Sequence, residues 1–176
     1  MEKTIKSIGV NFGLYLGLTL SAITVFSYAV SLEFLTKWYA WVLLLIVPII
    51  FGILSISKSK SALNGFISFK SAFTSYFLTI LIGMLISTIV SVLIFNVIDP
   101  DAAIQLKEKM VEGVANFMRG LGAPENQVIE AVEEMRNQPN NFSLSALIQE
   151  FVKNLLVFSV IGLIIALIMK KSDENA

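Results

Sequence analysis

Four stretches of this chain are too long and too nearly free of charge to form the surface of a water-soluble fold: Ile8 to Val30, Trp38 to Ile56, Ala72 to Ile98 and Ala146 to Met169. A helix over the first of them rises about 34 Å at ~1.5 Å per residue, against a hydrocarbon core of about 30 Å. In lipid each backbone N–H and C=O must find its partner within the protein, and for an isolated run of this length that means helix. The sequence therefore predicts an all-α, polytopic membrane protein, a single membrane domain over residues 1–176 with four transmembrane helices. Hydrophobic residues make up 56% of the chain. That is only modestly above the ~45–50% of a soluble domain, so their gathering into runs decides the class.

The ends of the runs carry the expected punctuation. Lys3 and Lys6 precede the first, whose length exceeds a signal-peptide core, so Ser27-Tyr28-Ala29 is read as part of a retained span and not as a cleavage site. Trp38, Tyr39 and Trp41 open the second at headgroup level. Pro48 and Gly52 lie inside it, and a kink is expected near the proline. Ser57-Lys58-Ser59-Lys60-Ser61 reads as a polar stretch after the span, Asn64-Gly65 as a turn, and Ser68 as the cap of the third helix. Asp99-Pro100 ends the third run, Lys170 and Lys171 stop the fourth, and Ser172 to Ala176 is a polar tail expected to fray.

With four spans, both termini share a side. That side holds Lys3, Lys6, Lys58, Lys60, Lys70, Lys170 and Lys171 in short segments beside the spans. The other holds Lys37, Lys107, Lys109, Arg119, Arg136 and Lys153, most of them spread through a long loop rich in acids. The positive-inside rule weighs short flanking segments, so the termini and central loop are expected in the cytoplasm and residues 99–145 in the periplasm of a bacterial inner membrane.

Residues 99–145 are expected to form two short amphipathic helices. Asp99 caps the first and Pro100 suits its opening turn. Ile104, Val111 and Met118 recur every seven residues, and Leu106, Met110, Val114, Phe117 and Leu121 add spacings of four, four, three and four, in a helix to about Arg119 that Gly120 and Gly122 stop. The second opens at Pro124 with Val128, Val132 and Met135 on one face, and Pro139 lies in the stretch that closes it. Two readings stand for the stripe: the helices fold on each other over the mouth of the bundle, or Ile104, Met110, Val111, Val114, Phe117 and Met118 form a candidate partner-binding face.

Within the membrane, Gly9, Gly13, Gly17 and Ser21 fall every four residues, and the third span carries Thr79, Gly83, Ser87 and Ser91 in the same spacing, with Gly162 on the fourth. Small residues admit a neighbouring backbone where no hydrophobic drive exists between helices, so these are candidate helix-packing positions, expected to pack within the chain. The chain has no histidine and no cysteine, which removes the commonest general base and metal ligand and all thiolate chemistry. No ionisable residue falls at the middle of a span, where proton relays and coupled transporters place one. No catalytic, cofactor-binding or metal-binding residue is nominated. A formal net charge of zero gives no footprint for nucleic acid.

Taken together, the glycine-bearing first span, the lysine-flanked loop after the second, Gly65-Phe66-Ile67-Ser68-Phe69-Lys70-Ser71-Ala72-Phe73 entering the third, the acidic outer helices and the closing Lys170-Lys171 resemble a domain-of-unknown-function family common in the Bacteroidota. The resemblance covers nearly the whole chain and implies a four-span inner-membrane protein. It brings no activity and no site residues. Phe66, Ile67, Phe69 and Phe73 beside Lys70 suit a strip lying along the interface that anchors the third span. The expected function is a non-enzymatic accessory or scaffold subunit of an inner-membrane complex, in contact with the lipid bilayer and other membrane-protein subunits. A small transporter or lipid-handling protein is the alternative.

Overall fold

The computed structural model describes residues 2–171, so the expected polar tail lies outside the described residues. Among these the chain is all-α. Helix α1 spans Glu2–Val30 and a single 3-10 turn, Leu32–Thr36, leads to α2, Trp38–Ala62. Helix α3 runs Phe69–Val92 and widens into a π-helical turn, Leu93–Ile98. Two helices follow, α4 over Pro100–Gly120 and α5 over Glu125–Asn137, before α6, Leu144–Met169. Four of these six helices, α1, α2, α3 with its π turn, and α6, are long and apolar enough to cross a membrane. Leu18, Val25, Ile46, Ile50, Leu156, Val160, Ile164 and Ile168 are exposed along them. Such a surface is far larger than the few hundred Å² of apolar patch a soluble monomer shows, and it suits contact with a lipid bilayer in a multi-pass membrane protein.

The helices outrun the apolar segments. Helix α1 starts at Glu2, not Ile8, with Ile5 already buried and an ion pair of 2.7 Å between Lys6 and Glu2. Helix α2 continues to Ala62, so the serine–lysine stretch read as polar chain after the span is its last turns. Nothing from Ser57 to Leu63 is Gly or Pro, and Ser55 and Ser59, one turn apart, both face the core. The helix stops where Asn64 takes a left-handed φ of 57° and the Gly65 N–H reaches back to the Lys60 carbonyl at 2.9 Å. Helix α3 begins at Phe69, with the Ser68 hydroxyl accepting from the Ser71 N–H at 3.2 Å. The strip expected along the interface is divided. Ile67 is buried and pairs with Lys171 through two backbone hydrogen bonds, whereas Phe69 and Phe73 belong to α3 and stack in series with Phe77. Helix α2 is continuous through Pro48, which is buried.

Helix α3 is the hub. It packs most extensively on α1, then on α6 and α2, while α2 also touches α1. The α1–α3 pair is parallel, and glycines set its closeness. A Cβ placed on Gly9 would meet the Ser75 carbonyl at 2.9 Å, one on Gly13 the Ile82 Cβ at 2.8 Å, and one on Gly17 the Ile86 Cβ at 2.8 Å. Gly83 on α3 returns the fit by receiving Leu16. The stripe thus meets the large side chains Leu78, Ile82 and Ile86 rather than a second stripe of small ones. Ser87 and Ser91 remain half-buried, and Ser21 is buried with its hydroxyl unpaired.

Both ends of the bundle are tied. At the end bearing the termini, Lys60 Nζ donates to the Met169 carbonyl at 3.1 Å, satisfying an orphan acceptor at the close of α6, beside the Ile67–Lys171 bridge. At the opposite end, Asp99 caps α4 by accepting from the Ala102 N–H at 3.0 Å, and its other carboxylate oxygen accepts from Tyr28 of α1 at 3.0 Å. The π turn holds Ile94 and Phe95 in a small second core with Ala102, Ala103 and Leu106.

The register makes a contrast measurable. Gly13→Leu forces an occupied contact and is expected to cost about 1–3 kcal/mol in detergent unfolding experiments. Gly113, on α4 with open space around it, is expected to tolerate Ala and gain about 0.5–1 kcal/mol from lost chain entropy. Equal responses at the two positions would refute this packing.

Candidate functional site

Two places concentrate polar chemistry or exposed apolar surface: a hydroxyl cluster inside the bundle and the α4–α5 hairpin outside it. Inside, Ser55 and Ser59 project from successive turns of α2 onto Ser75 of α3, with Oγ–Oγ distances of 2.6 and 2.8 Å. Ser55 Oγ also lies 3.3 Å from the Ser75 carbonyl. Three protons suffice if Ser59 donates to Ser75, Ser75 to Ser55, and Ser55 to that carbonyl. Thr79 donates to the same carbonyl at 2.9 Å and lies 3.2 Å from the Gly9 carbonyl, which carries the network to α1. All four hydroxyl residues are fully buried. The cluster is closed on itself, and its chemistry is cross-linking of three helices.

Tyr76, next to this cluster, is the largest fully buried side chain. Its ring passes between Gly52 of α2 and Gly162 of α6, and a Cβ on either glycine would overlap it. Gly162 is thus a packing position against a tyrosine. The Tyr76 hydroxyl is buried without a partner. Sequence reasoning missed Ser55, Ser59, Ser75 and Tyr76. The available signal is the four-residue spacing of Ser55–Ser59 and Ser75–Thr79, hidden because the apolar run ends at Ile56, before Ser59.

Outside, the stripe expected on α4 is split between two partners. The first turns bury Ala102, Ala103 and Leu106 against Tyr28, Leu32 and Leu35. Val111 is buried farther along and lines a groove of about 340 Å³ between α4 and α5 with Ala115 and Val132. Val111 is therefore not part of a free partner-binding face, because the two helices fold on each other. Met110, Val114 and Met118 are half-buried, whereas Ile104 and Phe117 are exposed. The helix ends in a Schellman turn, with Gly122 at φ 78° and the Ala123 N–H donating to the Met118 carbonyl at 3.0 Å. Leu121, in that turn, is 72% exposed and Phe117 is 66% exposed.

Charged side chains also bridge the hairpin. Lys107 Nζ donates to the Arg136 and Gln138 carbonyls at 2.8 and 2.6 Å, closing the end of α5, and Arg136 pairs with Glu108 at 3.1 Å. Across the tip, Arg119 grips Glu125 through two hydrogen bonds of 2.7 and 3.2 Å. That hydrogen bonding holds the Glu125 carboxyl below its ordinary value. A lowered folded-state value stabilises above the ordinary carboxylate range, and the contribution fades as pH falls through the lowered value. The described residues contain no group of three or more His, Cys, Asp or Glu placed to hold a metal ion.

The inner cluster yields paired expectations. Ser75→Ala strands the buried Ser59 hydroxyl and leaves Ser55 only its bond to the residue 75 carbonyl, and should cost about 0.6–2 kcal/mol in detergent unfolding. Tyr76→Phe keeps the ring between its glycines and deletes only an unpaired hydroxyl, so it should be neutral or stabilise by up to ~1 kcal/mol. A Tyr76→Phe protein as impaired as Ser75→Ala would show that the hydroxyl has a partner.

No curated protein and no solved structure matches the chain. A family model described as a protein of unknown function does match, over residues 11–171, from the glycine stripe of α1 to the bridge residue Lys171. With most of α1, the other three spans and the hairpin inside that match, the chain belongs to the DUF4199 family.

Proposed function

We propose that this protein is a non-enzymatic accessory or scaffold subunit of a bacterial inner-membrane complex, with its termini and the Lys58–Lys70 region cytoplasmic and the α4–α5 hairpin periplasmic. The observation that carries the reading is the pair Phe117 and Leu121, large apolar side chains 66% and 72% exposed at the far end of a hairpin whose Leu106, Val111 and Val128 are buried. Burying such a side chain against a partner is worth about 1.5–3 kcal/mol. Ile104 and Ile129 are also exposed on the same two helices. The small residues and hydroxyls of α1, α2 and α3 are meanwhile used in joining those helices to one another. That arrangement suits a rigid membrane base presenting a water-facing contact surface.

Affinity purification of the full chain in mild detergent is the direct test. A stoichiometric partner is expected with the natural sequence, reduced about tenfold or more by Phe117→Ser with Leu121→Ser, a loss of ~1.4 kcal/mol or more. Thermal stability of the double variant should be unchanged, since both side chains already face solvent. Recovery of this chain alone, or equal partner recovery with both proteins, would dismiss the reading.

A further inference from the structure

Between α1, the 3-10 turn and α2 lies a groove of about 420 Å³, on the half of the bundle nearer the hairpin. We propose that it is a binding site for one acyl chain of a bilayer phospholipid from the leaflet on the hairpin side. It is lined by Ala22, Ile23 and Phe26 of α1, Leu43 of α2 and Phe34 of the connecting turn. Phe26 is 63% exposed and Ala22 is exposed as well, so the groove opens sideways into the surface that the spans present to lipid. It is continuous with the bilayer contact of the whole bundle.

The polar groups at the groove identify its occupant. Thr19 and Ser27 supply its two hydroxyls, and each donates to its own helix, Thr19 to the Tyr15 carbonyl at 2.8 Å and Ser27 to the Ile23 carbonyl at 2.7 Å. A buried water requires two to four polar partners, which this lining does not offer. An empty groove would forfeit the dispersion contacts of its walls. Hydrocarbon meets both conditions. The connecting segment that carries Phe34 suits the polar end of the same molecule. Glu33, next to Phe34 in sequence, forms an exposed ion pair of 2.7 Å with Lys37, and the Trp38 ring, 75% exposed, stands at the start of α2. Aromatic rings and a lysine at this level belong to the headgroup region.

A resident lipid is independent of any protein partner on the hairpin, and its test is separate. The full chain is reconstituted in vesicles of phosphatidylethanolamine and phosphatidylglycerol containing a trace of phospholipid with a diazirine in its acyl chain. After illumination, modified residues are mapped by mass spectrometry. Modification of Ala22, Phe26 and Leu43 should exceed that of Val152 and Leu156, exposed apolar positions on α6, by about tenfold, the ratio for ~1.4 kcal/mol of preference. Ala22→Phe fills the groove and should abolish that excess without altering labelling of α6. Should that variant fail to fold, as judged by helical content and size-exclusion behaviour, Leu43→Phe blocks the groove from the opposite wall. Even labelling around all four spans, or an excess that survives a folded blocking variant, overturns the assignment.

Discussion

The close parallel contact between α1 and α3 is the interaction on which the rest of this molecule depends. Lipid tails are as apolar as leucine, so helices in a bilayer gain little by hiding apolar surface from their surroundings. They gain by approaching until dispersion contacts multiply. Three glycines at four-residue spacing make that approach possible here, seating Leu78, Ile82 and Ile86 against the α1 backbone. Because the two helices run in the same direction, α2 must return between their ends. It does so in contact with both.

The hydroxyl cluster and Tyr76 then fix how the other helices join. Ser55 and Ser59 give α2 a directional attachment to α3 that apolar contact alone would not supply. Tyr76 works by shape: a broad ring on the hub received by a glycine on each of two neighbours, so α2 and α6 are placed by one side chain. Its hydroxyl satisfies nothing, which marks the ring as the useful part. Hydrogen bonds through Ser75 attach α2, a steric fit on Tyr76 places α2 and α6, and the two devices sit on consecutive residues of α3.

Much of this was legible in the sequence because the relevant signals are local. Long apolar runs announce spans, Asp99-Pro100 announces a helix start, and Asn64-Gly65 announces a stop. What escaped is non-local. Hydropathy marks where lipid is crossed, not where hydrogen bonding ends, so the last turns of α2, with Ser59 among them, carry no apolar signal of the helix they belong to. Four-residue spacing finds a glycine stripe, but nothing in α1 says whether small or large residues face it. The stripe on α4 is real as a periodicity. One helix can still divide its apolar face between two neighbours, and only the path of α5 decides that Val111 is covered while Phe117 is not.

The same hub governs the water-facing part. Asp99 is at once the cap of α4 and the acceptor of the Tyr28 hydroxyl, so the base of the hairpin is bonded to α1 just where α3 ends. Ile94 and Phe95 of the π turn add apolar contact to that joint, and Asn96 donates to the Phe142 carbonyl at 2.8 Å, bringing the return strand of the loop to the same place. Both legs of the hairpin segment are therefore anchored to the last turns of α3. Its tip has only the Arg119–Glu125 pair across it, exposed on both sides. A contact at the tip would be carried by a hairpin whose base is bonded to α1 through Tyr28 and Asp99, at the point where α3 ends.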